Sequence, residues 1–135
     1  MNRYALKIEY DGTLFHGWQK QQNQVTVQGS IELALKHLDP ASKGITGAGR
    51  TDAGVHAIGQ VGHLDLKKNW DSSQLQQALN FHLRPNAICI VACKKVNSNF
   101  HARFSAIKRH YIFKIIRIFC HFVNCYITDT TCTYN

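Results

Sequence analysis

The most chemically loaded stretch of this 135-residue chain is Gly44-Ile-Thr-Gly-Ala-Gly49-Arg50-Thr51-Asp52-Ala53-Gly54-Val55-His56. Two chemistries compete for it. Its glycines approach a phosphate-cradling P-loop, with Arg50 where lysine belongs. A planar guanidinium fork, however, is no substitute for a compact ammonium that reaches between phosphates. A P-loop also runs straight into a helix whose N-terminus faces the phosphates, and here Gly54 stands where that helix would begin. The second chemistry is that of a fixed carboxylate. Gly47, Gly49 and Gly54 permit positive φ and the close approach of a large ligand. Arg50 and Thr51 place a cation and a hydroxyl beside Asp52, which would keep it ionised and oriented. Such a carboxylate is a candidate nucleophile or base. On spacing alone an alternative stays open: Asp52 folding its side chain onto its own turn.

Metal chemistry finds no pattern to use. The cysteines, Cys89, Cys93, Cys120, Cys125 and Cys132, contain no Cys-x-x-Cys and match no zinc spacing. The histidines are scattered, without a His-Glu-x-x-His helix. The cysteines read as buried thiols of a reducing compartment. No metal site is expected.

The elements that must carry the loop are legible in the patterning. Tyr4, Leu6, Ile8 and Tyr10 alternate with Ala5, Lys7 and Glu9, a half-buried strand ending at the Asp11-Gly12 turn. A polar loop follows, Gln19 to Gln24. Thr26 caps a helix with Val27, Ile31, Leu35 and Leu38 on one face, which Asp39-Pro40 ends. Ile45 to Ala48 and Gln60 to Leu66 read as strands on either side of the glycine-rich loop. Asp71 or Ser72 caps a second helix carrying Leu75, Ala78, Leu79 and His82. Ala87 to Val96 reads as a buried strand, and Tyr111 to Ile118 as another. The expected class is α+β: a ferredoxin-like, split βαβ layer of order β-α-β-β-α-β plus a further strand. Its helices lie on one face of a mostly antiparallel sheet. RNA-binding modules use the open sheet face of this architecture.

Length bounds the chain to one domain. With 44% hydrophobic and 18% charged residues it is neither disordered nor collagen-like. No apolar run approaches the roughly 20 residues of a membrane span, and no signal peptide opens the chain, so a cytoplasmic protein without a membrane partner is expected. The charge of +8 is uneven: residues 1–71 hold eight basic and seven acidic side chains, whereas 72–135 hold eight basic and one acidic. A surface so one-sided attracts polyanions, nucleic acid first among them, or is simply a solvated basic face.

Here the motifs add up to a resemblance. Gly49-Arg50-Thr51-Asp52-Ala53-Gly54-Val55-His56-Ala57 resembles the signature loop of the tRNA pseudouridine synthase A family. Ile8-Glu9-Tyr10-Asp11-Gly12 with Phe15-His16-Gly17-Trp18-Gln19, Val27-Gln28, and Gly59-Gln60-Val61 match in order. So do Asn99 to Ala106 (Asn-Phe-His-Ala-Arg-Phe-Ser-Ala) and Arg109-His110-Tyr111. The resemblance implies a pseudouridine synthase fold and a tRNA partner. It also implies conversion of uridine to pseudouridine in the anticodon stem–loop: the N1–C1′ bond breaks, the base rotates in place and a C5–C1′ bond forms. Nothing is oxidised and no group is transferred, so no cofactor or metal is needed. Asp52 matches the catalytic aspartate; attack at C1′, attack at C6 and a role as base at C2′ all stay open. Tyr111 matches the tyrosine that packs on the flipped base, though its position alone reads as an inward-facing strand tyrosine. Arg50 fills the vacated space or holds a phosphate, with a salt bridge to Asp52 as the alternative. His101 and Arg103 are expected to support the site or touch the RNA backbone. Lys108 and Arg109 belong to the tRNA-facing surface or are ordinary solvated charges. Trp18 and the glutamine-rich loop are open to RNA contact. A homodimer is expected where the whole family architecture is present.

After Ile115-Ile116 the resemblance stops. The family continues through a second half of comparable size, with a Phe-Val-Arg-Arg-like helix at the cleft. Residues 117–135 instead hold three of the five cysteines and four threonines, with no Gly, Pro or Lys. The expected division is a catalytic N-terminal subdomain, 1–116, and a non-matching tail, 117–135. The tail reads as a shifted frame or premature end, against the alternative of a divergent edge strand. Two functions therefore stand: a tRNA pseudouridine synthase, or a non-catalytic fragment with at most weak RNA binding.

Overall fold

The structure, a computed structural model, describes residues 1–115 and 125–133, of which Ile115 and 125–133 are described by their backbone. Strand β1 (Asn2–Tyr10) is antiparallel to both β3 (Ala57–Leu66) and β4 (Ile88–Val96). The alternating Tyr4, Leu6, Ile8 and Tyr10 are all buried on the face that helices α1 (Val27–Leu38) and α2 (Ser72–Leu83) cover. Each such Leu or Ile contributes about 1.5–3 kcal/mol of burial free energy. Thr26 caps α1 by accepting the Gly29 N–H at 3.2 Å, and Val27, Ile31, Ala34 and Leu35 form its buried face. Asp39 ends α1 and ties it to the end of β3, its carboxylate accepting the Lys67 N–H at 3.0 Å. In α2, Asp71 is the cap, accepting from Ser73 at 2.9 Å and Gln74 at 3.1 Å.

Three expectations change. In α2 the core row is Leu75, Leu79 and Leu83, spaced four apart; His82 falls on the shoulder and stacks on His37 of α1, ring centroids 4.7 Å apart. Strand β4 is not a buried strand but an edge. Ile88 and Ile90 are buried in the core and Cys93 packs against it, while Cys89, Val91 and Ala92 are exposed on a strand that pairs on one side only. Strand β3 begins at Ala57 rather than Gln60, since Ala57 pairs with Tyr10 across an irregularity in the ladder.

Beside β3 lie β2 (Ile45–Gly47), paired with residues 62–64, and β6 (Cys125–Thr133), bridged in parallel from Gly59 to Thr131. Strand β5 (Lys108–Ile115) is antiparallel to β6, giving the order β4-β1-β3-β6-β5. The strand expected over Tyr111 to Ile118 is thus centred three residues earlier, and 116–118 lie outside the described residues. Strand β6 is interior to the sheet, unlike the edge strand weighed for the tail. Its pairing with β3 makes the sheet mixed at that position, and antiparallel elsewhere.

Behind β3 a polar anchor fastens the 97–105 loop. Arg3 grips Asp65 with two bonds of 2.8 and 2.7 Å, and donates to the carbonyls of Ser98 (2.6 Å) and Phe100 (2.8 Å). His63, buried, accepts the Ala102 N–H on Nδ1 at 3.1 Å and lies against His101. Burial, followed by the nearby Arg3 and His101, pushes its pKa from 6.5 down to about 4; Asp65 opposes that shift. The neutral ring is therefore the native form. Protons then bind the unfolded chain preferentially, so this stabilisation is complete above pH 6.5 and is lost as pH falls towards 4. The expected loss at pH 5 is about 2 kcal/mol. Asp65, held ionised chiefly by its hydrogen bonds from Arg3, titrates below this window. Urea melts at pH 7 and 5 check this: wild type weakens, whereas His63→Gln, with an acceptor that does not titrate, loses less between the two.

Candidate active site

Asp52 is carried by a loop fastened on both sides. Before it, Thr51 is buried; its hydroxyl pairs with the Tyr10 hydroxyl at 2.7 Å and its carbonyl accepts the Trp18 N–H at 3.0 Å. After it, Gly54 donates to the Phe15 carbonyl at 3.3 Å and Val55 to the Asp52 carbonyl at 3.1 Å. The β1–α1 segment is pressed against this loop. A Cβ on Gly12 would lie 2.0 Å from the Val55 carbonyl oxygen, and one on Gly17 2.5 Å from that of Thr51. The Thr51 hydroxyl is thus spent on Tyr10 rather than on orienting Asp52. The Asp52 side chain itself is exposed, and among the described residues no salt bridge joins it to Arg50.

Two clefts meet at Arg50. The larger, about 620 Å³, is lined by Trp18, Gln28, Arg50, Arg103, Arg109 and Tyr111, among others. The smaller, about 280 Å³, holds Asp52 with His16, Gln19, Gln21, Gln24 and Arg50. Arg50 and Gln19 border both, so Tyr111 and Asp52 face neighbouring spaces across the Arg50 side chain. The larger cleft has three guanidinium groups and no carboxylate in its wall, a field suited to a polyanion. Tyr111 is 60% exposed in the wall of the larger cleft, so it is not the inward-facing strand tyrosine of the alternative reading.

Arg109 does more than sit on a charged surface. Its guanidinium donates to the Ala48 carbonyl at 3.2 and 2.7 Å and to the Arg103 carbonyl at 3.1 Å, joining the Asp52 loop to the 97–105 loop. His101 is a support: its Nδ1 accepts the N–H groups of Arg103 (3.2 Å) and Phe104 (3.4 Å), with its ring stacked on Phe104. Arg103 is exposed in the cleft wall. Lys108 is exposed and borders neither cleft. Trp18 is 1% exposed, its ring packed on Gly47, so it is floor rather than free surface.

Sequence reasoning gave no role to Gln60 and Gln28. Gln60, fully buried, donates to the Gly49 carbonyl at 2.9 Å; Gln28 donates to the Ile45 carbonyl at 3.1 Å. A glutamine flanked by the small and apolar Ile58, Gly59, Val61 and Gly62 was the available signal for the first, because a buried carboxamide must find partners. Among the described residues no three His, Cys, Asp or Glu side chains gather as metal ligands, and no helix is long and apolar enough to cross a membrane.

A family profile described as tRNA pseudouridine synthase matches residues 7–105. Proteins named tRNA pseudouridine synthase A are similar over 116 residues, 86% of this chain: 55% identical in Dinoroseobacter shibae and 54% in Roseobacter denitrificans. The same protein of Cereibacter sphaeroides is 56% identical over the same share. The matched part is 45% of each of these relatives, so the chain spans about half their length.

Proposed function

The chain belongs to the tRNA pseudouridine synthase family, and from that premise we propose that it isomerises uridine in the anticodon stem–loop of tRNA, with Asp52 as the nucleophile. The observation that carries this reading is a loop pinned at Thr51 and Gly54 whose one acidic side chain is left exposed beside a cationic cleft. A fixed backbone beneath an unencumbered carboxylate is the preorganisation that nucleophilic or base chemistry needs.

The N1–C1′ bond breaks, the uracil turns, C5 bonds to C1′, and the proton on C5 is given up while N1 gains one. Attack by Asp52 on C1′ or C6, and proton removal at C2′, each require an ionised carboxylate. The base must leave its stack, at a cost of a few kcal/mol. Tyr111 offers a ring to receive it, and its C1′ then lies towards the Arg50 ridge and Asp52. Arg50 occupies the space left in the stack or holds a phosphate. Arg103 and Lys108 add attraction for the RNA backbone; Arg109 adds charge and ties the two loops. In this reading residues 1–116 are the N-terminal catalytic subdomain of a cytoplasmic enzyme, dimeric when the family architecture is whole.

Stacking by Tyr111 makes a graded prediction. Base–aromatic stacking is worth about 1–3 kcal/mol, so Tyr111→Ala should lower turnover about tenfold to a hundredfold. Tyr111→Phe should lose clearly less. Equal losses, measured as initial rates on the same tRNA, would place the role in the hydroxyl instead.

A second reading is favoured by the 45% span: RNA binding without turnover. An unmodified tRNA transcript, incubated with the chain, digested to nucleosides and separated chromatographically, distinguishes the two. Pseudouridine in the digest supports the enzyme; RNA bound without pseudouridine supports the binding module.

A further inference from the structure

The segment between His16 and Val25 borders the site without a task in the reaction above. It closes on itself: His16 N–H donates to the Val25 carbonyl at 2.8 Å, and Val27 N–H to the Gly17 carbonyl at 3.2 Å. Inside the loop, Gln21 Nε2 donates to the His16 carbonyl at 3.1 Å, and Lys20 N–H to Gln28 Oε1 at 3.0 Å. The result is a braced finger that brings Gln19, Gln21 and Gln24 to the wall of the 280 Å³ cleft. Its one lysine is already engaged, Lys20 Nζ lying 2.8 Å from Glu32 on α1. The finger therefore meets its ligand with amides rather than with cations.

We propose that this finger is a nucleobase subsite. It receives the base of the nucleotide next to the target uridine, on the side of Arg50 away from Tyr111. The inference rests on the proposed function and extends it to a second nucleotide. A carboxamide sets a donor and an acceptor side by side, which complements the edge of an unstacked base; phosphates are met mainly by cations. Extruding the target uridine removes one stacking partner from its neighbour and bares a face of that neighbour, which is freer to swing out and present its edge where it is unpaired. The two clefts share Arg50 and Gln19, so a strand crossing Arg50 has one base in each. A cleft of about 280 Å³ has room for one planar base, with the His16 ring in its wall as a stacking surface.

The test uses anticodon stem–loop RNAs carrying 4-thiouridine at the target position or at either adjacent position, irradiated with the full chain and mapped by peptide. Label on one adjacent nucleotide is expected to reach residues 16–24, and label at the target position to reach the Tyr111 strand. A second arm measures affinity. Gln24→Ala, at an exposed position in the finger, should weaken binding about three- to tenfold when a base is present at the adjacent position. It should have no effect when that position is abasic. Crosslinks at the Tyr111 strand without any in the finger, or a Gln24→Ala effect equal on both RNAs, would overturn the subsite and leave the proposed function standing. No RNA binding at all would overturn both.

Discussion

Asp52→Asn is expected to abolish pseudouridine formation, by at least about a thousandfold, while tRNA binding stays within about twofold of wild type. The two effects separate for a physical reason. Asparagine is nearly isosteric, and the backbone that positions residue 52 is held by Thr51, Gly54 and Val55, none of which the change touches. What is lost is the negative oxygen that attacks carbon or takes a proton. Removing an anion beside a polyanion also lowers repulsion, so any change in affinity should be a slight tightening, strongest at low salt. Single-turnover conversion and filter binding on one preparation check both halves. Comparable losses in each would show that Asp52 holds RNA or the loop rather than reacting.

The second large effect is expected at Gly17. Its φ is +81°, where L side chains are strained by roughly 1–2 kcal/mol, and its Cβ would meet the Thr51 carbonyl oxygen at 2.5 Å and the Asp52 carbonyl carbon at 3.2 Å. Both are backbone atoms, so nothing can rotate away. The Asp52 loop must shift instead, and a misplacement near 1 Å costs about a hundredfold in rate. Gly17→Ala should therefore cost about 2–4 kcal/mol of stability and about a hundredfold in turnover. Gly54 supplies the control: φ is +79°, but a Cβ there meets nothing within 4 Å. Gly54→Ala should cost only the backbone strain, about 1–2 kcal/mol. Urea titrations and initial rates of both variants compare the predictions, and equal rates would mean that the contact of Gly17 with Thr51 does not position Asp52.

Local patterning carried most of the fold because the elements rest on local physics. The period of two in Tyr4 to Tyr10 and the caps at Thr26 and Asp71 are each written within a few residues of the structure they dictate. The difficulties lie in pairings remote in sequence. Arg109 reaches Ala48 across 61 residues, and Arg3 reaches Phe100 across 97; no period or turn signal encodes either. Strand β4 misled for the same reason: an apolar run such as Ala87 to Cys93 looks alike at an edge or in a centre, and only its partners decide. At the site, the glycine-rich loop around Asp52 was legible from its residue types, whereas Tyr111 was marked only by the resemblance, since its position alone reads as an inward-facing strand tyrosine. The Thr51–Tyr10 pair, the buried Gln60 and the Arg50 divide between two clefts belong to three-dimensional packing.

The proposal that Asp52 drives exchange of C1′ from N1 to C5 has one direct chemical signature. Bond formation at C5 expels its hydrogen, so tRNA carrying tritium on C5 of uridine loses label to water in proportion to product. The wild-type chain in molar excess over such a tRNA is expected to release tritium up to one equivalent per target uridine, and Asp52→Asn to release none above buffer. Equal release by the two proteins, or none by the wild type under conditions where the tRNA is bound, would contradict it.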